Sequence, residues 1–272
     1  MKLAIWDYPP AEFMVCAHGE VATKLEFSIA RADMRQCADL LTTGQVDVAL
    51  VPTLVPLTNP DTVDVLPAVA LSSWAYPYAK ILLSDGLRGI ESVAYDPAYP
   101  QEALLARIIL KEHYGSVPEF VGYEDASIEE IAAAQEEARL VIGTEVATRE
   151  YDELALDLGQ EWFEHAQYPM VWGVFAVRKG SATPQIVRSL RNLVKASAEK
   201  RKLWIQSQET PPALHAFYKD ALRVRLDDLA IASLTEYRQH LFYYNVVDEV
   251  PEMPFYFLPD EEEKDDGKRP LI

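Results

Sequence analysis

Residues 157–179 read DLGQEWFEHAQYPMVWGVFAVRK and hold the clearest structural signal in the chain. Asp157-Leu158-Gly159 is typical of a turn, and Pro169 disfavours helical backbone at the residue before it. Residues 170–177 then form an almost unbroken apolar run, rich in β-branched and aromatic side chains. Such a run predicts a strand buried on both faces, with a buried helix as the alternative. Gly173 in its middle predicts a close approach by another backbone or a ligand.

Outside this stretch, short apolar runs alternate with amphipathic segments, which predicts an α/β protein. Strands are predicted at residues 2–6, 24–29, 47–52, 79–84, 92–95, 119–123 and 139–143. Helices are predicted at residues 12–17, 33–43, 101–114, 128–137, 185–204, 212–223 and 227–242. Residues 63–71 suit either a strand or an irregular segment, and residues 72–78 suit an aromatic-polar loop.

The length of 272 residues allows one large domain or two smaller α/β lobes, each with its own core. No run approaches the roughly 18 consecutive apolar residues of a membrane-spanning helix. The apolar patch that follows Met1 ends at Asp7, which is too short for the core of a secretory signal. We therefore expect a cytoplasmic protein without a membrane partner.

A net charge of −18 argues against nucleic acid as a partner, because phosphate binding needs a basic face. The same charge weakens the long-range attraction of an anionic substrate. Residues 260–266 form a charge run without apolar periodicity, which predicts a disordered acidic tail. Cys16 and Cys37 are expected to be free thiols, and the five histidines show no metal-binding spacing.

The DLG-x-EW motif of residues 157–162, followed by Pro169 and an apolar run that ends in Val177-Arg178, resembles the chorismate dehydratases of menaquinone biosynthesis by the futalosine route. The resemblance spans roughly residues 1–245, and further matching segments are Val46 to Val51, Leu66-Pro67, Ser72-Ser73 and Leu140 to Gly143. It implies a fold like the type II periplasmic binding proteins, with mixed sheets flanked by helices and a cleft between two lobes. The implied lobes are residues 1–86 with 172–259, and residues 87–171, with residues 260–272 as the tail.

The resemblance also implies which residues line the pocket, and several differ from the family's pattern. Pro10 stands where the family has an asparagine, and proline has neither a side-chain donor nor a backbone N–H. Gln101-Glu102 replaces a Thr-Ser pair suited to an anion, and Thr144 replaces an aspartate. No residue is identified as the catalytic base. The expected substrate-binding residues are Tyr8, Pro10, Thr53, Ser72, Ser73, Tyr76, Gln101, Glu102 and Thr144.

Some of these residues also have a purely structural interpretation. Tyr8 could pack its ring at the lobe interface with its hydroxyl in water. Tyr76 could form a stacking wall for a ligand ring together with Trp74 and Tyr78, or all three could be packing residues. Glu102 could be an ordinary acidic residue of a first helical turn, where it suits the helix dipole.

The implied activity is a hydro-lyase reaction that converts chorismate to 3-[(1-carboxyvinyl)oxy]benzoate and water without a cofactor or metal. The alternative is a non-catalytic homologue with the same two-lobed fold and a different small ligand. In either case the expected partner is a small anionic or aromatic-ring metabolite, and the protein is a monomer or homodimer. Fold alone does not decide between them, because function depends on the site.

Overall fold

The computed structural model describes residues 1–21, 26–87, 89–207 and 210–258. The chain divides into two compact units. The first comprises Met1–Ser72, Val171–Lys200 and the described residues from Arg223 onward, and the second comprises Ser73–Met170 and Arg201–Leu222. The predicted tail at 260–272 and part of the predicted strand at 24–29 lie outside the described residues.

Strands and helices alternate along most of the chain, as the sequence predicts. The described strands are β1 (Lys2–Trp6), β2 (Ser28–Ala32), β3 (Val48–Pro52), β4 (Val63–Ser73), β5 (Ala79–Leu83), β6 (Ser92–Tyr95), β7 (Glu119–Gly122), β8 (Ala138–Ile142), β9 (Leu154–Asp157), β10 (Met170–Arg178) and β11 (Leu222–Arg225). The described α-helices are α1 (Pro9–Val15), α2 (Met34–Thr42), α3 (Leu54–Thr58), α4 (Pro100–Ile108), α5 (Ile128–Ala132), α6 (Leu158–Ala166), α7 (Pro184–Glu199), α8 (Arg201–Gln206) and α9 (Asp228–Tyr243).

The first unit is built on a six-stranded sheet with the order β11-β4-β10-β3-β1-β2. β1 is parallel to both β2 and β3, whereas β10 is antiparallel to β3. Lys179 N–H donates to the Thr62 carbonyl at 3.0 Å, so the end of β10 lies beside the beginning of β4. β4 is therefore antiparallel to β10 and parallel to β3, and β1, β3 and β4 all end at the same edge of the sheet.

The central strand β10 confirms the prediction from the opening stretch, because all its residues except Arg178 are buried. The glycine at position 173 is explained by steric contact: a Cβ there would come within 2.6 Å of the Trp6 ring and 3.1 Å of the Val51 carbonyl oxygen. The predicted close approach to Gly173 is thus made by a side chain of β1. The absence of a Cβ lets a large indole lie against the middle of the sheet.

The second unit contains a five-stranded sheet with the order β7-β6-β8-β5-β9. β6 is parallel to β7 and β8, and β5 is antiparallel to β8 and β9. A small apolar core that includes Leu82, Ala94 and Val141 packs against α5. None of the described helices combines the length and hydropathy that crossing a bilayer requires.

The boundary between the units differs from the expected one. The resemblance implied a first boundary after residue 86, but that boundary lies between Ser72 and Ser73, because β5 pairs with β8 and β9 of the second sheet. Residues 201–222 also belong to the second unit, where the Arg201 guanidinium donates to the carbonyl oxygens of Tyr218 and Leu222. Side-chain contacts of this kind leave no periodic signal in the sequence.

Several predicted elements have different bounds or types. The helix expected at 128–137 is only α5, and the helix expected at 185–204 is two helices, α7 and α8. The helix expected at 212–223 is instead a 3-10 turn, a π-helical turn and β11. The segment after Asp157, for which no helix was expected, is α6, because the Asp157 carboxylate caps it.

Candidate functional site

The predicted site residues fall into two sets, and each set lies at the carboxyl edge of its own unit's sheet. In the first unit this edge, hereafter the first carboxyl edge, is marked by Trp6, Thr53 and Ser72 at the ends of β1, β3 and β4. Ligands of open α/β sheets bind at such edges, where the loops that follow the strands converge. Residue placement in this unit therefore agrees with a binding role.

Tyr8 and Pro10 lie directly after β1, at the beginning of α1. Tyr8 is the extended N-cap residue, and its carbonyl oxygen accepts hydrogen bonds from Ala11 and Glu12 at 3.0 Å. Pro9 and Pro10 occupy the first turn, where a missing N–H removes no intrahelical hydrogen bond. The prolines thus start the helix three residues before the predicted Glu12, and Pro10 is a buried structural residue.

Thr53 and Ser72 both place buried hydroxyl groups at the first carboxyl edge, but their bonding differs. Thr53 Oγ1 donates to the Val171 carbonyl at 2.8 Å, and its main-chain N–H donates to the Trp172 carbonyl at 3.2 Å. Thr53 therefore ties the end of β3 to the start of β10. Ser72 Oγ is buried and has no hydrogen-bond partner within the described part of the chain.

Sequence reasoning missed Trp6, which ends β1 at the same edge. Its indole is fully buried, and its Nε1 also has no hydrogen-bond partner among the residues that the structure describes. Trp6 reads as an ordinary apolar strand residue in the sequence. The signal that could have identified it is Gly173, because an interior strand glycine predicts that something lies close to it.

The second unit's carboxyl edge is formed where β6 and β8 end and β5 begins. Ala79 pairs with Ile142, and Gly143 N–H donates to the Tyr78 carbonyl at 2.9 Å. The loop after β6 leads to α4, whose first turn carries Gln101 and Glu102. Gln101, Glu102, Thr144 and Tyr76 are therefore all attached to this second carboxyl edge.

Gln101 and Glu102 are each only 1% exposed, which is unusual for a glutamate. Burial raises the Glu102 pKa to about 7, and hydrogen bonds from its own N–H and from Gln101 partly offset that effect. The carboxyl group thus takes the position at the helix N-terminus that an anion would favour. Near neutral pH it carries less negative charge than an ordinary glutamate.

The aromatic residues before β5 are mainly packing residues. Tyr76 and Tyr78 are fully buried, and their rings contact Phe217 with centroid separations of 6.4 and 5.5 Å. The Tyr78 and Tyr218 hydroxyls share a 2.9 Å hydrogen bond, and burial raises the pKa of both groups, that of Tyr218 to about 12. These contacts favour the packing interpretation over a stacking wall for a ligand.

The remaining predicted positions differ in exposure. Ser73 is buried at the end of β4, whereas Thr144 is exposed at the start of a 3-10 turn after β8. Lys80 on β5 donates to the Val146 carbonyl at 3.0 Å, and burial lowers its pKa. Its ammonium group is therefore directed to the protein main chain within the second unit.

One group of potential metal ligands lies within the second unit. His113, Glu161 and Glu164 each offer a ligand atom, and these atoms lie within 4.8 Å of one another. The Tyr114 hydroxyl already donates to Glu161, and the other two side chains are exposed. Such groups are common on protein surfaces, so we assign no metal site to them.

Comparison with solved structures shows the fold. Protein AF1704 from Archaeoglobus fulgidus matches with a TM-score of 0.68 and 18% identity, over 90% of this chain and 98% of that one. The periplasmic aliphatic sulphonate binding protein SsuA from Escherichia coli matches with a TM-score of 0.67 and 12% identity, over 99% and 96%. A Candida albicans protein described as having the generic periplasmic binding protein fold matches with a TM-score of 0.59 and 11% identity, over 92% and 91%.

The chain therefore has an α/β fold of the periplasmic-binding-protein type, as expected from the sequence. At these identities the likeness concerns the fold alone. A comparison with curated protein sequences found no significant match. The model of the menaquinone biosynthesis family matches residues 1–243, which is most of the 272 residues. This chain belongs to the menaquinone biosynthesis family.

Proposed function

We propose that the protein is a chorismate dehydratase-like lyase that acts in the cytoplasm and yields 3-[(1-carboxyvinyl)oxy]benzoate and water. Family membership is the observation that carries this proposal. The placement of the predicted residues at two carboxyl edges supports it, because both edges offer hydroxyl or amide groups to a ligand. The reaction breaks one ring C–H bond and one C–O bond, and it is redox-neutral.

Chorismate is a dianion, whereas the chain carries a net charge of −18. Long-range electrostatic repulsion therefore opposes binding, and recognition has to come from short-range hydrogen bonds. The first carboxyl edge suits this requirement, since Tyr8 and Ser72 carry neutral hydroxyl groups there. Neutral donors bind a carboxylate without first being paired to an acidic neighbour.

Glu102 is the one carboxyl group among the predicted site residues, and its raised pKa changes what it can contribute. In its protonated form it donates a hydrogen bond and does not repel a substrate carboxylate. A group with a pKa near the working pH is also suited to proton transfer. Glu102 is therefore our candidate for the group that makes binding or turnover depend on pH.

The alternative is a non-catalytic protein that binds a small anion. Pro10 favours it, because the position that carries an asparagine in the chorismate dehydratases has no side-chain donor here. The SsuA neighbour is named an aliphatic sulphonate binding protein, which supports a binding role. Under this alternative the ligand is still a small anionic molecule.

A single experiment separates the two proposals. Purified protein is incubated with chorismate, the products are followed by mass spectrometry, and the melting temperature is measured with and without chorismate. Loss of water that depends on active protein supports the lyase. A thermal shift without turnover supports a non-catalytic protein that still binds chorismate. If high protein concentrations give neither turnover nor a thermal shift, chorismate is not the ligand. A protein-free sample corrects for the spontaneous breakdown of chorismate.

A further inference from the structure

Two buried polar side chains at the first carboxyl edge have no hydrogen-bond partner in the described residues. Trp6 is 1% exposed and Ser72 is 0% exposed, and the atoms concerned are the indole Nε1 and the hydroxyl Oγ. Buried polar groups in folded proteins are nearly always hydrogen-bonded, because an unmade bond destabilises the fold. These two groups therefore need an explanation beyond folding.

Both groups lie at the same edge of one sheet. Trp6 is the last residue of β1, and Ser72 is the penultimate residue of β4, which runs parallel to β1. The Trp6 indole reaches over β3 to Gly173 of β10, and a Cβ on Gly173 would be 2.8 Å from its Cζ2. That carbon is adjacent to the ring carbon bonded to Nε1, so the nitrogen side of the indole lies against the strand that neighbours β4.

Two other buried hydroxyls of the first unit form hydrogen bonds within the protein. Ser197 is as buried as Ser72, but its Oγ accepts a 3.1 Å hydrogen bond from Ala17 N–H. Thr53, at the same edge, donates to Val171. The folded protein thus supplies hydrogen-bond partners for Ser197 and Thr53. Trp6 and Ser72 remain as donors at the edge where a ligand binds in this fold class.

We propose that Trp6 Nε1–H and Ser72 Oγ–H donate hydrogen bonds to acceptor oxygens of the bound metabolite, a small carboxylate. Trp6 is then a ligand-binding residue that the family resemblance does not assign. The choice of chorismate as the probe rests on the proposed function, but the donor role itself does not. The free protein bears the cost of two unmade hydrogen bonds, which the ligand removes on binding.

The first test needs no ligand. Ser72→Ala removes the unpartnered hydroxyl, so we expect a higher melting temperature for the ligand-free protein. Ser197→Ala is the matched control and should lower the melting temperature, because it removes a satisfied buried hydrogen bond. A lower melting temperature for Ser72→Ala as well would show that its hydroxyl has a partner inside the protein and would overturn the proposal.

The second test follows the indole N–H resonances by ¹H–¹⁵N NMR during a titration with chorismate, and Trp6→Phe identifies the Trp6 signal. We expect that signal to move downfield, and we expect Ser72→Ala to weaken binding about tenfold. Shifts elsewhere with an unchanged Trp6 signal would overturn the inference. If chorismate shifts no resonance, the proposed function fails. Titrations with benzoate and methanesulfonate then test the donor role by itself. A shift of the Trp6 signal supports that role, and an unchanged Trp6 signal overturns it.

Discussion

The main-chain N–H of Tyr76 donates a 2.6 Å hydrogen bond to the Asp157 carboxylate. The same carboxylate accepts hydrogen bonds of 2.9 Å from Gly159 and Gln160, so it caps α6 and fixes the segment before β5 at once. Gly159 allows this contact, because a Cβ there would lie 2.7 Å from Tyr76 N. The DLG motif that carries much of the family resemblance is thus a structural connection within the second unit.

Replacing Asp157 tests this connection. Asp157→Ala removes two capping bonds and the bond to Tyr76, and we expect it to lower the free energy of unfolding by about 2–3 kcal/mol. Asp33→Ala is the control, since Asp33 is partly exposed and caps α2 with a single hydrogen bond to a main-chain N–H, in addition to its ion pair with Arg35. Urea unfolding measures the free energy of unfolding of both variants. A loss of about 1 kcal/mol or less in each variant would contradict the connecting role of Asp157.

Gly173 provides a second stability test, because its hydrogen is the only group that fits against Trp6. Gly173→Ala should lower the free energy of unfolding by about 1–3 kcal/mol through overpacking. Combining it with Trp6→Leu, which removes the contacting ring, should cost less than the sum of the single changes. Strict additivity in urea unfolding would show that Trp6 is not the neighbour that requires glycine.

Strand β10 and residues 201–222 show which parts of the fold the sequence predicts and which it does not. The apolar run of β10 and most strands are predictable, because burial on both faces leaves a local pattern. The role of Gly173 is only half predictable: glycine indicates a close neighbour, but only the pairing of β1 with β3 identifies that neighbour as Trp6. The assignment of residues 201–222 to the second unit depends on contacts of Arg201, which leave no local signal.

Glu102 predicts a pH-dependent stability of known sign. Its folded pKa of about 7 is above its ordinary value of 4.5, so between these pH values the folded state holds more protons than the unfolded state. This group therefore lowers stability as pH rises from about 4.5 to about 7. Glu102→Gln cannot ionise, and its stability relative to the wild type should rise over this range by on the order of 3 kcal/mol.

Glu130→Gln is the control of opposite sign for that measurement. Hydrogen bonds from Ser127 lower the Glu130 pKa, so its contribution to stability is present above the ordinary pKa of glutamate and is lost in acid. The Glu130 variant should therefore lose stability at neutral pH and not at low pH. A Glu102→Gln curve parallel to the wild type between pH 4.5 and 8 would contradict the buried position of Glu102.

Glu102 also predicts a change in ligand preference. Glu102→Ser removes the carboxyl group and restores a hydroxyl at the helix N-terminus, as in the chorismate dehydratases. We expect about tenfold tighter binding of chorismate at pH 8, where Glu102 is mainly ionised, and a smaller gain at pH 6. Isothermal titration calorimetry measures both affinities. Unchanged or weaker binding at pH 8 would mean that Glu102 does not act on the ligand.

The candidate site was less predictable than the fold. The sequence identifies residues after strands, so Tyr8, Thr53 and Glu102 could be assigned to carboxyl edges. It does not show which buried polar side chains find hydrogen-bond partners inside the protein. The presence of a partner distinguishes Thr53 from Ser72, and its absence identifies Trp6. Hydrogen-bond satisfaction depends on three-dimensional neighbours, which a single sequence does not contain.

The most direct test of the central claim is the time course of product formation from chorismate, followed by mass spectrometry at substrate and protein concentrations high enough to detect a slow enzyme. We expect a product lighter than chorismate by one water, formed in proportion to the amount of native protein and absent with heat-denatured protein. Chorismate that stays unconverted under these conditions, beyond its spontaneous breakdown in buffer, would contradict the lyase function.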